Sequence, residues 1–206
     1  MKKIIIALSL LVGLTTHVNA ATGNAEAGKQ KSVTCGACHG ADGNSMIPAN
    51  PKLAGQSEAY LVKQLTEFKS AAMGGEGRKS AMMGAMSMSL SEQDILDLAA
   101  YFSSQETKPG ATPENVIAKG KKLYTGGDAE RGVTACTACH GPRGDGMSLA
   151  GFPKISFQHA DYLAAQLKAF RDGSRDNDLN GMMRDIAKKL SDDDIDTLSQ
   201  YLGGLH

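Results

Sequence analysis

The sequence predicts an all-α protein built from two copies of one domain. The first sign is an internal repeat, in which the segment that begins at Tyr60 recurs from Tyr162, an offset of 102 residues (162 − 60). The second is the spacing of apolar residues in these segments, which recur every three or four positions as on one face of an α-helix. The third is the lack of any alternating strand pattern with hairpin turns. A repeat of this length is too long for a solenoid unit, so it indicates two domains.

The N-terminus has the three parts of a secretory signal peptide in residues 1–20. Lys2 and Lys3 form the positive region, Ile4–Gly13 is apolar, and Val18–Ala20 resembles a cleavage site. The apolar run is short for a membrane span, and an uncleaved anchor is the alternative. We expect a mature chain that begins at Ala21, is exported and is soluble.

The repeat also sets the predicted domain boundaries. Residues 21–104 form the first domain and residues 114–206 the second. Residues 105–113 are polar and contain proline and glycine, which is typical of a linker. The linker is short, so it should keep the two domains close to each other.

The charge of the mature chain is almost balanced. Removal of Lys2 and Lys3 leaves 20 basic side chains (22 − 2) against 22 acidic ones, a formal charge of −2. Such a balance does not suggest a nucleic acid or an anionic membrane surface as partner. We expect a monomer, and a loose association with a membrane stays open.

Each domain is expected to contain a long helix and a well-marked final helix. Ser57 is a plausible N-cap of the first long helix. Ser91 and Ser191 begin the final helices, each with an aspartate three residues later that can complete a capping box. Short N-terminal helices are predicted near Ala25–Ser32 and Val116–Leu123.

All four cysteines lie in two Cys-Xaa-Xaa-Cys-His motifs, Cys35–His39 and Cys136–His140. At this spacing two thiols can form thioethers with one porphyrin, and the histidine can bind its iron. A zinc site or a redox disulfide is the alternative. However, the pairs are 101 residues apart (136 − 35), and neither alternative requires the histidine. The motifs therefore predict two covalent haems, attached through Cys35, Cys38, Cys136 and Cys139, with His39 and His140 as axial ligands.

Methionine is the first candidate for the sixth ligand of each iron, because a thioether favours ferrous iron. Seven residues before Leu90 and Leu190 lie Met83 and Met183. Met82 and Met182 also coincide in the repeat, so the register alone leaves a pair open in each domain. Both pairs are predicted to lie in a glycine-bearing loop before the last helix.

Three further residues enter the prediction of the iron sites. Histidine is scarce in the mature chain, and His159 precedes a helix, so we expect it at the surface or as a cap. Pro51 and Pro153 follow the motif histidines by 12 residues (51 − 39) and 13 residues (153 − 140). Their carbonyls could accept a hydrogen bond from the ligating histidines, or the prolines could only mark turns.

The sequence resembles the dihaem cytochrome c4 family over essentially all of the mature chain. Each motif alone is weak evidence for the family, so the resemblance rests on their order and their duplication. The motifs are Cys35–Gly40, Asn50–Gln56, the spacing from Met83 to Leu90, Ala99–Gln105 and Ala150–Lys154. The family's cysteine, histidine and methionine positions all have a match in this sequence, which favours Met83 and Met183 over their neighbours.

The resemblance implies two tandem class I cytochrome c domains, each with several helices around one covalent haem c. It implies that the haems face a shared interface. It also implies a periplasmic electron carrier, not an enzyme, between a quinol-oxidising complex and a terminal oxidase of the cbb3 type. Two other functions stay open: a dihaem peroxidase, and a cytochrome subunit docked permanently to a dehydrogenase.

Overall fold

The computed structural model describes residues 22–205, and within this range ten α-helices form two similar groups of five. The first domain contains α1 (Ala25–Lys31), α2 (Val33–His39), α3 (Glu58–Ala72), α4 (Ala81–Ser87) and α5 (Glu92–Ser103). The second contains α6 (Glu114–Gly126), α7 (Thr137–His140), α8 (Ala160–Asp172), α9 (Met182–Ala187) and α10 (Asp192–Gly203). Two isolated β-bridges, and no sheet, occur in the described part of the chain. The all-α prediction is confirmed.

The predicted signal peptide, residues 1–20, lies outside the described residues. Within residues 22–205, no helix has the length and the apolar character needed to cross a membrane.

Serine side chains cap the helices as the sequence predicts. Ser57 accepts a hydrogen bond from the backbone of Tyr60 at the start of α3. Ser91 and Ser191 each form a complete capping box, with Asp94 and Asp194 respectively. These caps satisfy backbone N–H groups that the first turn of a helix leaves unpaired. The helices of the two domains therefore begin at equivalent residues of the repeat.

The first and last helices of each domain cross at a glycine. α1 packs on α5 at Gly28, where a Cβ atom would lie 1.9 Å from the backbone oxygen of Asp97. α6 packs on α10 at Gly120, where a Cβ atom would lie 2.5 Å from the Cβ of Tyr201. Such close approach is possible only without a side chain. This crossing fixes the position of the cysteine motif that follows the first helix of each domain.

Gly120→Ala is expected to destabilise the second domain by about 1–3 kcal/mol, because the added methyl group overpacks the crossing. Gly126→Ala is the matched control in the same helix, because a Cβ atom there would meet no atom within 4 Å. The control should be neutral or slightly stabilising, since alanine favours helix over glycine. Denaturant unfolding of the holoprotein measures both variants. Equal stabilities of the two variants would contradict the close crossing.

An ion pair at the start of the final helix is built differently in the two domains. Lys31, at the end of α1, lies 2.6 Å from the Asp94 carboxylate. In the second domain Arg131 takes this role, with its guanidinium 2.5 Å from Asp194. The Arg131 hydrogen bond holds the pKa of Asp194 at about 2. Arg131 belongs to residues 125–131, which have no counterpart in the first domain, so this insertion supplies the cation.

The apolar core of the first domain is thin. Its buried cluster has five members among the described residues, against ten in the second domain. The five are Leu61, Leu98, Ala99, Tyr101 and Phe102. Cys35 packs against this cluster, and Cys136 packs against the larger one. The cysteine motif of each domain therefore lies at the edge of its core.

The methionine pairs do not lie in loops, so that prediction was wrong. Met82 and Met83 are in the first turn of α4, where Ser80 accepts a hydrogen bond from the Met83 backbone. Met182 and Met183 begin α9, which follows Gly181 in a left-handed conformation. Alanine and methionine are good helix formers. Ser80 caps α4, and in the first turn of α9 the backbone of Arg184 donates to the Asp178 carboxylate at 3.0 Å.

The linker runs along the surface of both domains. The Thr107 hydroxyl donates to the Ala54 carbonyl at 2.5 Å, and the backbone of Lys108 donates to the Asn44 side chain at 2.7 Å. Further along, the Thr112 hydroxyl donates to the Tyr201 carbonyl at 2.8 Å. These hydrogen bonds hold the linker against the first domain and then against the second.

Candidate haem-binding sites

Each cysteine motif presents two thiols and one buried histidine from a single turn of helix. In the first domain the motif lies in α2, and in the second it spans the start and length of α7. Two cysteines three residues apart share one helix face. None of the four cysteines is in a disulfide, so each sulfur is available to form a thioether. In the described range no three His, Cys, Asp or Glu side chains converge on a possible metal site, so the shared zinc site has no geometric support.

The two motif histidines are held in one tautomer. His39 Nδ1 lies 2.9 Å from the Pro51 carbonyl, and His140 Nδ1 lies 2.9 Å from the Pro153 carbonyl. A carbonyl can only accept, so Nδ1 carries the proton and Nε2 keeps a lone pair that can bind a metal. Burial lowers the pKa of both histidines, although the proline carbonyl acts in the opposite direction. The two prolines are therefore acceptors for the histidines and not only turn residues.

The methionines of each pair differ in exposure. Met82 is 64% exposed and Met182 is 37% exposed. Met83 and Met183 are half-buried. A ligand to a buried iron must point inward, so the difference supports Met83 and Met183 over their neighbours. Met86 and Met88 are also exposed, and the equivalent positions of the second domain hold Ile186 and Lys188, not methionine.

The domains meet through hydrogen bonds that repeat across the interface. Gln56 contacts the backbone of Lys154, and Gln158 contacts the backbone of Lys52 in the equivalent way. Beside them, the hydroxyl oxygens of Ser57 and Ser148 are 2.8 Å apart.

His159 also belongs to this interface. Its Nε2 donates to the Ser45 carbonyl of the first domain at 2.8 Å. Although His159 stands at the N-cap position of α8, its side chain makes no capping hydrogen bond. The prediction of a surface or capping role was wrong, because the partner of this side chain comes from the other domain.

Two arginines cross the same interface beside the long helices. Arg78 donates to Gln64 at 2.7 Å and to Gln166 of the other domain at 2.6 Å. Arg175 donates to Gln166 at 2.9 Å and to the Tyr60 hydroxyl of the first domain at 2.9 Å. Arg175 is buried, and the described residues offer neither arginine a carboxylate in a salt bridge.

The two guanidinium charges act on the side chains around them at the interface. Burial alone would raise the pKa of Tyr60, but the charges of Arg175 and Arg78 outweigh it and lower the pKa. Each guanidinium also lies over an aromatic ring, Arg78 at 4.8 Å from Phe68 and Arg175 at 4.3 Å from Phe170. Cations at an interface that have no carboxylate in a salt bridge favour a bound anion. The carboxylates of a haem have this chemistry. Together with the four cysteines, which form no disulfide, and the two oriented histidines, the residues present fit the cofactor.

Sequence reasoning had not assigned a role to the two arginines or the two interface glutamines. Gln56 and Gln158 do recur at the repeat offset of 102 (158 − 56), and this signal could have found them. Arg78 and Arg175 are separated by 97 residues (175 − 78), because the segments after the long helices differ in length. Alignment of the two halves therefore does not pair them.

Comparison with known proteins agrees with this geometry. The family model for Cytochrome c matches the chain twice, over residues 25–106 and 117–206. Cytochrome c4 of Stutzerimonas stutzeri is 50% identical over 211 residues, which cover 100% of both chains. The chain belongs to the cytochrome c4 family.

A solved structure extends the cytochrome c4 comparison to the fold. The crystal structure of reduced recombinant cytochrome c4 from Pseudomonas stutzeri has a TM-score of 0.87 and 50% identity, and covers 90% of this chain and 100% of its own. A more distant relative, the thiosulfate dehydrogenase electron acceptor of Stutzerimonas stutzeri, is 36% identical over 84% of this chain and 80% of its own. As a member of the cytochrome c4 family, the protein is a dihaem electron-transfer cytochrome with two covalently bound haem c groups.

Proposed function

We propose that the protein carries electrons between redox partners in the periplasm, through two irons that are closed on both faces. Cys35 and Cys38 would attach one haem and Cys136 and Cys139 the other. His39 and Met83 would bind the first iron, and His140 and Met183 the second. The observation that carries the proposal is the pair of buried histidines, each fixed by a proline carbonyl in a domain that also offers a half-buried methionine.

The residues around each site suit one-electron transfer. When bound, a haem supplies iron that changes oxidation state without a change of ligands. The proline carbonyls hold the histidine rings in place, so little rearrangement accompanies the transfer. Arg78 and Arg175 would pair with the haem carboxylates and keep them ionised at the interface. None of these roles requires an open coordination position on the iron for a substrate.

We further propose a quinol-oxidising complex as the electron donor and a cbb3-type terminal oxidase as the acceptor. The resemblance of the whole chain to cytochrome c4 supports this assignment. A thiosulfate dehydrogenase is a second candidate donor, because one relative is described as a thiosulfate dehydrogenase electron acceptor. Both assignments describe an electron carrier and differ only in the partner that reduces it.

Electron delivery to membranes that contain a cbb3-type oxidase tests the proposed function. Fully reduced protein mixed with such membranes in air should be oxidised at both haems, and cyanide should stop the reaction. Absorbance of the reduced haems follows the oxidation. Hydrogen peroxide without membranes is the comparison for the peroxidase alternative, and it should not be consumed catalytically. Oxidation no faster than without membranes, or rapid peroxide turnover, would overturn the proposal.

A further inference from the structure

The peptide groups Pro51–Lys52 and Pro153–Lys154 are hydrogen-bonded at both ends. The Pro51 carbonyl accepts from His39 at 2.9 Å, and the N–H of the same peptide group donates to Gln158 Oε1 of the other domain at 2.8 Å. In the second domain the Pro153 carbonyl accepts from His140 at 2.9 Å, and the paired N–H donates to Gln56 Oε1 at 3.0 Å. Two equivalent chains of hydrogen bonds thus cross the interface, one in each direction.

Both glutamines are held firmly in this position. Gln56 and Gln158 are each only 8% exposed. Gln158 Nε2 donates back to the Lys52 carbonyl at 2.9 Å, and Gln56 Nε2 donates to the Lys154 carbonyl at 2.8 Å. Each Oε1 accepts a second hydrogen bond from the backbone of the next residue, Ser57 or His159. These contacts fix which end of each amide faces the peptide N–H.

A hydrogen bond to the N–H of a peptide group makes its carbonyl a stronger acceptor, because the bonds in a chain polarise one another. A stronger acceptor at Nδ1 increases the electron donation of the histidine to a metal at Nε2. Greater donation stabilises ferric iron over ferrous iron, so the reduction potential falls. The glutamine of one domain can therefore act on the iron of the other through three hydrogen-bonded groups: its own amide, the peptide group and the histidine ring.

We propose that Gln158 and Gln56 are positioning residues that lower the reduction potential of the haem in the opposite domain. The proposal rests on the proposed function, because it needs His39 and His140 as axial ligands. Its consequence is that each potential depends on the contact between the domains. Loss of both glutamine contacts shifts both potentials without touching an axial ligand.

The test is a redox titration of holoprotein carrying Gln158→Leu, with the two haems resolved by NMR. Leucine keeps much of the side-chain volume but cannot accept from Lys52. The potential of the first haem should rise, with a three- to tenfold lower ratio of ferric to ferrous iron at a fixed potential. This corresponds to about 30–60 mV at 59 mV per tenfold for one electron. The second haem should be unchanged, and Gln56→Leu should give the mirror result.

Ser148→Ala is the matched control, since it removes the contact with Ser57 across the interface but leaves both peptide groups alone. It should leave both potentials unchanged. The ¹H and ¹⁵N shifts of the His39 Nδ1–H group provide a second readout, and Gln158→Leu should move them toward those of a weaker hydrogen bond. Unchanged shifts and potential at the first haem, or equal changes at both haems, would overturn the proposal.

Failure of the proposed function would give a different result from failure of this inference. The far-red absorption band of ferric iron with a methionine ligand should be retained in both glutamine variants. If that band is absent already in the wild-type protein, the axial assignment is wrong. If it is present and the potentials do not respond, only the role of the glutamines is wrong.

Discussion

Replacement of Met83 with alanine is expected to lower the reduction potential of the first haem by on the order of 0.2 V, a fraction of the roughly 0.8 V range that axial ligands span. The thioether is a soft ligand that favours ferrous iron, and water or hydroxide in its place favours the ferric state. Met183→Ala should have the same effect on the second haem only. A redox titration with optical and NMR detection measures each potential.

Met82→Ala and Met182→Ala are the controls for this prediction. Each removes a neighbouring methionine of the same helix turn, but one whose side chain is more exposed. Both potentials and the far-red band should therefore stay as in the wild type. A control variant that loses the band, or a Met83 variant that keeps it, would show that the assignment within the pair is reversed or wrong.

The double variant Cys35→Ser, Cys38→Ser should contain one haem per chain in place of two and should lose the folded structure of the first domain. The five-residue apolar cluster of that domain is small, and a domain of this size has little stability to spare. Without a covalently held porphyrin beside Cys35, the cluster loses a large part of its apolar surroundings. Pyridine haemochrome absorbance gives the haem content, and circular dichroism gives the helix content.

Cys136→Ser with Cys139→Ser is the matched comparison in the second domain. It should also halve the haem content. The second domain should lose less of its helix content than the first, because its buried apolar cluster is larger. Two haems per chain in either double variant would contradict covalent attachment at these cysteines. A greater loss of helix in the second domain than in the first would contradict the role given to core size.

The elements that the sequence predicts well are those determined by local chemistry. The serine caps at Ser57, Ser91 and Ser191 are examples, because a cap and its partner lie within four residues of each other. The cysteine motifs are another, since attachment requires a fixed local spacing. The repeat extends both kinds of prediction from one domain to the other.

The features that the sequence did not predict depend on contacts between distant segments. His159 precedes a helix and resembles a cap, but its partner is the Ser45 carbonyl, 114 residues away. In the sequence, Arg78 and Arg175 are ordinary cations of loop segments. Their glutamine and tyrosine partners lie on α3 and α8 and become neighbours only in the folded protein. The short helix at Met82 and Met83 was missed for another reason, since its glycine suggested a loop although Ser80 caps it.

Carbon monoxide binding to the fully reduced protein tests the central claim, that both irons are closed by protein ligands. We expect no rapid binding to the wild-type protein. Met83→Ala and Met183→Ala should each bind one equivalent, at the haem of the altered domain. Rapid stoichiometric binding at either haem of the wild-type protein would show an open iron and would contradict the account of a closed electron carrier.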